Sequence, residues 1–475
     1  LRNQKPQDDI IQGPLFPAIV RLAIPLILAN LMQTAYNIVD TYWVGRLGKE
    51  AIAAISLSFP IIFLIISFGA GLTIAGTVMI AQFTGMQDQD NVDLTAGQTV
   101  ILLINVSIII TIVGLTTSGP LLNLMGAAPD VASRAAIYLR ILFGGSIFIF
   151  MFFVFQSILR GWGDTKTPMW VMLGSVIANM ILDPFFIMGI GPFPKLGIAG
   201  AAWATLISRG ISAIIGMWIL FSGQKVLHIR LHHLKPDWKM QWQLIKLGVP
   251  ASIEQSIRAL GITALIFIVT SLGTTAVAAY GIGARIFSFV IIPAMALSMA
   301  TSTALGQNFG AGQIERAEKA AWIGAGTGFG ALSIIGIVFF FFATPISAIF
   351  IKESPEVVRM SSEFLRTMSL TFGFLGLQII LNGGFRGAGR TTTAMVMAFI
   401  SFWMARIPLA YLFAKVLGWG PRGIWWAFPL SIVLSSVVTT GWFIYGKWKT
   451  AKPDAAKRIQ ERIISETVAE EGAAD

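Results

Sequence analysis

The sequence predicts an all-α integral membrane protein with twelve transmembrane helices, built as two parallel six-helix repeats. Three observations carry that expectation. Of 475 residues, 55% are hydrophobic and 12% are charged, and the mean hydropathy is +0.75. Soluble domains carry about a quarter charged residues, so this chain has too little polar surface to coat a water-facing globule. The apolar residues fall in blocks of roughly 18 or more, the length that crosses a bilayer as a helix. The two halves also repeat one another at an offset of about 225 residues.

Apolar blocks stand near 15–44, 51–83, 93–120, 131–160, 166–190 and 197–222. The second series stands near 241–270, 275–306, 314–349, 356–385, 391–417 and 423–446. Each is long enough to cross about 30 Å of hydrocarbon at about 1.5 Å per residue. None alternates with the two-residue period of a barrel strand, so all read as helices. The chain then divides into an N-terminal tail (1–14), an N-lobe (15–222), a connecting loop (223–240), a C-lobe (241–447) and a C-terminal tail (448–475). Residues 1–14 are polar, with no cleavable signal peptide ahead of the first span.

Charge orients the helices. With the N-terminus inside, the inner side holds Arg2, Lys5, Arg160, Lys166, Lys225, Arg230, Lys235, Lys239, Arg316, Lys319, Arg386 and Arg390. The tail adds Lys447, Lys449, Lys452, Lys457, Arg458 and Arg462. The outer side holds Arg46, Lys49, Arg134, Lys195, Lys352, Arg359, Lys415 and Arg422. That excess predicts a multi-pass protein of the cell (inner) membrane with both termini cytoplasmic. The same distribution explains the net charge of +11 without nucleic acid as a partner. The absence of cysteine excludes disulfides, iron–sulfur clusters and thiol nucleophiles.

The repeat can be followed residue by residue. Arg21-Leu22-Ala23-Ile24-Pro25 matches Lys246-Leu247-Gly248-Val249-Pro250, and Leu47-Gly48 matches Leu272-Gly273. Gln82 and Gly85 fall on Gln307 and Gly310, and Tyr138-Leu139-Arg140 falls on Phe364-Leu365-Arg366. Arg160-Gly161-Trp162-Gly163 matches Arg386-Gly387-Ala388-Gly389. An even number of spans per half puts both copies in one orientation, a pattern that marks transporters whose two lobes rock about a central site.

A scaffold repeats, but a site need not, so polar residues that one half lacks are informative. The first span carries Asn30, Gln33, Asn37 and Asp40 at steps of three and four, with Tyr36 one turn before Asp40. This spacing makes a polar stripe on one helix face. The fifth span carries Ser175, Asn179 and Asp183 four apart, followed by Pro184. The repeat mates of Asp40 and Asp183 are Leu265 and Leu409.

A carboxylate inside a membrane span is costly, and its default reading is functional. Asp40 and Asp183 would take up a proton or bind a cation, with Asn179 and Tyr36 holding the neutral acid or helping to ligate Na+. The structural alternative is that each caps a helix end or pairs with an arginine. Pro25 removes a backbone donor mid-span, so the first helix is expected to bend there. Glu254 in the seventh span is a third acid. Arg258 stands one turn on, so Glu254 reads either as half of an ion pair or as an alternative coupling acid. Arg140, Arg209, Arg285, Arg366 and Arg406 lie in or near spans, and the repeat mates Arg140 and Arg366 read as helix-end anchors.

Three other patterns point elsewhere. Gly161-Trp162-Gly163-Asp164 matches the Gly-x-Gly-Asp signature of intramembrane aspartyl proteases, but its repeat mate ends in Arg390, so it reads as a tight inner loop. His228, His232 and His233 lie in the connecting loop without the acids or cysteines a metal site needs. Walker, His-Glu-x-x-His and Gly-x-Ser-x-Gly patterns are absent, so neither an enzyme nor a cofactor is expected. The 34 Phe, 14 Trp and 18 Met suit drug-binding walls and lipid-facing surface equally well. Small organic molecules and membrane lipids are the expected partners.

From Pro25 through Tyr36-Asn37-Ile38-Val39-Asp40-Thr41-Tyr42-Trp43-Val44-Gly45-Arg46-Leu47-Gly48 the sequence resembles the multidrug and toxic compound extrusion (MATE) family. Arg160-Gly161-x-Gly163-Asp164-Thr165 and Asn179-x-x-x-Asp183-Pro184 strengthen the likeness, which covers about residues 15–447. Asp40 with Asn179 and Asp183 is similar to the DinF-like prokaryotic branch. The resemblance implies a V-shaped, twelve-helix protein exporting cationic or amphiphilic compounds against H+ or Na+ influx; a monomer, with H+ ahead of Na+ as the coupling ion, is expected. Asp40 and Asp183 would then carry the cation, and Tyr36, Asn179 and Tyr138 would belong to the same polar network as Gln33 and Asn37. Gln156 stands where an Asn is expected. The sixth-helix hydroxyl falls on Ala201 in one alignment and on Thr205 one turn later. The rival of the wider superfamily is a flippase for lipid-linked precursors, expected to line its cavity with basic residues.

Overall fold

The computed structural model describes residues 6–191, 193–223, 227–351, 354–450 and 453–456. Arg2, Lys5, Lys225, Lys352, Lys452, Lys457, Arg458 and Arg462, used above to orient the helices, lie outside the described residues.

No strand occurs among the described residues. A short helix, Pro6–Ile11, precedes α1 (Leu15–Gly45), α2 (Lys49–Gly85), α3 (Gln89–Leu124), α4 (Pro129–Gly144), α5 (Ser146–Trp162), α6 (Lys166–Met188) and α7 (Ile198–Phe221). The second half runs through α8 (Trp238–Thr270), α9 (Thr274–Gly310), α10 (Ile314–Phe350), α11 (Pro355–Ser369), α12 (Phe372–Gly387), α13 (Thr391–Phe399), α14 (Ile407–Tyr411) and α15 (Pro421–Tyr445). Stretches of π-helix, Ile400–Arg406 and Leu412–Val416, flank α14 and continue α13 into one span. Among the described residues, ten such helices are long and apolar enough to cross a membrane, and the bent pairs α4–α5 (50°) and α11–α12 (57°), each taken as one span, bring the total to 12.

The chemistry of lipid as a solvent explains these helices. Ile112, Ile214, Ile334 and Val437 are 60%, 65%, 65% and 62% exposed, which water would penalise and hydrocarbon favours. Backbone groups must be satisfied within the helix or by a neighbour's hydroxyl. The break after α4 shows the second device: Thr111 Oγ1 donates to the Phe143 carbonyl at 2.7 Å, at the turn where the helical ladder is interrupted. Phe372 opens the helix after the corresponding break, so both halves bend at matching positions.

The helices form two compact units. The first comprises Pro25–Ile80 and Asp88–Ser252, and the second comprises Leu1–Ile24, Ala81–Gln87 and Ile253–Asp475. The first has a core of Val44, Leu122, Tyr138, Leu139, Phe143 and Ile187. The second is built on Leu265, Tyr280, Phe364, Phe372, Trp425 and Phe428. Helix α1 runs through Pro25 without a break in its helical assignment, and the division between units falls at that residue.

The duplication is also visible in contacts inside the second unit. A methyl on Gly85 would run into the Gln307 carbonyl, and one on Gly310 would run into that of Gln82. Repeat mates thus pack reciprocally, with glycine letting the two backbones touch. Gly48 and Gly273, also mates, both take φ 103°, a conformation that suits glycine. The described residues beyond α15 pack against this unit. Trp448 is buried, Lys449 pairs with Glu318 at 2.6 Å, and Ala455 N–H donates to Gln82 Oε1 at 3.3 Å.

Candidate functional site

The first unit gathers the unrepeated polar residues on three helices. On α6, Asn179 and Asp183 are fully buried, and Asn179 Nδ2 donates to Asp183 Oδ1 at 3.1 Å. On α1, Tyr36 is 6% exposed, and its hydroxyl donates to Thr205 Oγ1 on α7 at 2.7 Å. Asp40 lies one turn beyond Tyr36. Asp40 and Asp183 are close enough to act on one another electrostatically, and Tyr36 and Tyr138 lie in the field of both.

What these groups lack defines the site. Among the described residues, Asp40 Oδ1, Asn179 Oδ1 and Asp183 Oδ2 are buried with no hydrogen-bond partner. Neither aspartate pairs with a Lys or Arg among the described residues, and both lie inside long helices rather than at N-caps. Three acceptor oxygens, two of them on carboxyl groups, are therefore buried without a donor. A proton or a cation satisfies such a set, whereas a buried acceptor left unmet is costly.

A second layer lies one helical turn away. Gln33 Nε2 donates to Asn37 Oδ1 at 3.2 Å, and Gln33 Oε1 accepts from Arg209 Nη2 on α7. Arg209 is 7% exposed, contacts Met172 Sδ through Nη1 at 3.3 Å, and lies 5.1 Å from the Tyr36 ring centre. Ser175 Oγ reaches the Ser208 carbonyl at 3.2 Å and ties α6 to α7 at this level.

Of the residues singled out by sequence, Tyr36 bonds Thr205 and Asn179 bonds Asp183, as two separate pairs, and Asp40 and Tyr138 lie within electrostatic reach of Tyr36 and Asp183. Of the two sixth-span candidates, Ala201 sits in the apolar core, and Thr205 accepts from the Tyr36 hydroxyl. Gln156 is half-buried on α5 and makes no side-chain hydrogen bond among the described residues. In the second unit, Glu254 Oε1 pairs with Arg258 Nη2 at 2.7 Å, Glu254 is 1% exposed, and Arg386 lies in its field. Glu254 Oε2 remains without a partner among the described residues.

Two contributors were not legible. Arg209 was an undifferentiated arginine in an apolar run, although an ionisable residue at mid-span is itself a signal. Gln98 carries no spacing or repeat signal in the sequence. It is fully buried, donates to the carbonyls of His233 (2.8 Å) and Lys235 (2.6 Å), and accepts from Asp237 N–H (2.9 Å) and Gln241 Nε2 (2.9 Å). It thereby pins the connecting loop to α3. In that loop, outside the spans, burial and then His232 hold His233 below the ordinary value of 6.5.

The protease-like motif is a helix start. Asp164 accepts from the N–H groups of Lys166 (3.1 Å) and Thr167 (3.0 Å) and from the Thr167 hydroxyl (2.6 Å), satisfying orphan donors of α6. No group of three or more metal-ligating side chains occurs among the described residues.

Twelve helical spans in two repeated halves, with unpartnered acids buried inside one unit, are the architecture of a membrane transporter. Comparison with known proteins supports that class. The MatE family model matches twice, over residues 25–185 and 250–412. The probable multidrug resistance protein YpnP of Bacillus subtilis is 30% identical over 94% of this chain and 98% of its own length. The FAD transporter of Shewanella oneidensis is 26% identical over 91% of this chain and 95% of its own. A multidrug resistance MATE family transporter of the MOP superfamily, solved in an outward-facing conformation, superposes with a TM-score of 0.88 at 26% identity, covering 95% of this chain and 100% of that one. The chain belongs to the MatE family; it is a multi-pass membrane transporter and not an enzyme.

Proposed function

We propose that this chain is a cation-coupled efflux antiporter for small cationic or amphiphilic organic compounds, with Asp40 and Asp183 as the coupling acids. The carrying observation is the set of buried, unpartnered oxygens on Asp40, Asn179 and Asp183. Three oxygens suffice to hold protons and are few to replace the hydration shell of Na+, which favours H+. Tyr36 and Thr205 would fix α1 against α7 at the level of the acids. Gln33, Asn37 and Tyr138 would extend the polar wall met by cargo.

The proposed cycle takes place in the inner membrane with both termini cytoplasmic. Cation uptake from outside favours the cargo-releasing state, and cation loss inside favours cargo binding. Coupling requires only that cation and cargo prefer different states of one bistable protein. The relatives bearing multidrug resistance names support such a cargo, and the FAD transporter relative supports a second reading in which the cargo carries an anionic group. Dye efflux from proteoliposomes under an imposed pH or Na+ gradient tests the proposal. Movement that follows neither gradient contradicts it.

A further inference from the structure

The second unit carries a seam between α10 and α11, bounded at one end by α15. At that end lies a cavity of about 760 Å³. Arg359, Glu363 and Arg366 line it from α11, Ala348 and Ile351 from α10, and Arg422 from α15. Three arginines thus face one glutamate among the lining residues. Arg422 Nε donates to Glu363 Oε1 at 2.7 Å, which engages that carboxylate. Arg366 Nη2 donates to the Thr344 hydroxyl at 3.2 Å, a neutral partner. Neither Arg359 nor Arg366 pairs with a carboxylate among the described residues.

A second cavity, of about 270 Å³, begins one turn further along both helices. Ile337, Phe340 and Phe341 line it from α10, and Leu370 lines it from the end of α11. Phe341 is 71% exposed and Leu370 56%, so this part of the seam opens sideways to hydrocarbon. Two departures from straight helix make the room. Helix α10 leaves helical angles at Phe342 (φ −99°, ψ 15°), ahead of Pro345, and α11 turns by 57° into α12 between Ser369 and Phe372. Trp419 and Trp426, on either side of Arg422 in sequence, are each 50% exposed, as rings at the headgroup level are. The arginines therefore sit at the membrane interface, and the second cavity sits deeper. In the orientation proposed above, this is the outer end of the spans.

Positive charge at the headgroup level and an apolar trough below it match the two ends of one molecule. Guanidinium forks hold a phosphate by paired hydrogen bonds, and basic pockets between spans attract anionic lipid heads. We propose that this seam binds an anionic phospholipid, with Arg359 and Arg366 on the phosphate and one acyl chain against Phe341 and Leu370. The lipid is a bound partner rather than cargo, and the site shares no residue with the buried acids of the first unit.

The test titrates the delipidated chain in detergent with dioleoyl phosphatidylglycerol or dioleoyl phosphatidylcholine and counts bound lipid by native mass spectrometry. Wild type is expected to bind phosphatidylglycerol about tenfold more tightly than phosphatidylcholine. The double variant Arg359→Gln, Arg366→Gln is expected to lose that preference and to keep its phosphatidylcholine affinity within about twofold. Both arginines are exposed, so the fold does not depend on them. Ile337→Trp fills the deeper cavity from a lipid-facing position and is expected to weaken both lipids by about threefold. Excess inorganic phosphate, at constant ionic strength, is expected to leave phosphatidylglycerol bound. No preference in wild type, or an unchanged preference in the double variant, overturns the proposal. Unchanged lipid binding in Ile337→Trp does so too. Displacement of the lipid by phosphate assigns the arginines to a free anion and equally overturns it.

Discussion

Asn179 and Asp183, one turn apart on α6, share a hydrogen bond of 3.1 Å, and each keeps a second, buried oxygen without a partner. The amide holds one carboxyl oxygen and leaves the other open. A structural cap would be saturated, as Asp164 is by three donors at the start of the same helix. The contrast between these two aspartates, both on the fifth span's helix or at its start, separates an acid saturated by donors from one with an open oxygen, which the proposed coupling role needs.

The bond between Tyr36 and Thr205 joins α1 to α7 at 2.7 Å. Tyr36→Phe and Thr205→Val are each expected to slow gradient-driven dye efflux by about three- to tenfold, the scale of one lost hydrogen bond of about 1 kcal/mol. The double variant is expected to be no slower than either single one. A multiplicative loss would show that the two residues act separately.

Glu254 is expected to be mainly structural. Glu254→Gln leaves the Arg258 guanidinium without its partner and is expected to cost about 2 kcal/mol in detergent thermal unfolding. Adding Arg258→Met is expected to restore part of that stability. Folded Glu254→Gln is expected to keep its response to the gradient, and loss of that response in stable protein would move the coupling role to Glu254.

How much of this was legible follows from what sets each feature. The span edges were readable because hydrophobic run length is a property of the chain alone, so α1 and the block at 15–44 nearly coincide. The breaks at Gly145 and after Ser369 were not, because the apolar run continues across them and a hydroxyl on another helix, Thr111, meets the freed carbonyl in the first case. The stripes on α1 and α6 were readable from three- and four-residue spacing. The partner on α7 was not, since Tyr36 and Thr205 are 169 residues apart and only packing selects Thr205 over Ala201. The π-helical stretch before α14 left no mark in the hydrophobic pattern.

Gln98 holds the connecting loop through hydrogen bonds to His233, Lys235 and Asp237, and bonds Gln241 on α8 as well. Gln98→Leu leaves buried backbone groups unmet and is expected to cost about 2–3 kcal/mol. Limited proteolysis within residues 222–238 reads this directly, and unchanged cleavage rates would contradict it.

The same loop is expected to loosen in acid. His233 Nδ1 accepts from Arg230 N–H at 3.1 Å and must be unprotonated to do so, and its proton affinity is depressed by burial, then by His232. Asp93 and Asp90 oppose that depression, and Arg230 adds to it. A depressed value means that stability is fully present above the ordinary value of 6.5 and is lost as pH falls through the lower folded value. Loop cleavage is therefore expected to be faster at about pH 5 than at about pH 8. His233→Asn is expected to abolish that difference.

The most direct test of the coupling site is efflux of a fluorescent cationic dye from proteoliposomes under imposed pH and Na+ gradients, comparing wild type with Asp40→Asn and Asp183→Asn. The substitutions keep shape and remove the ionisable group. Wild type is expected to follow the pH gradient, and both variants are expected to fold and to lose at least about tenfold of the gradient-driven rate. Normal gradient-driven efflux by either well-folded variant would contradict the assignment of that acid to the coupling site.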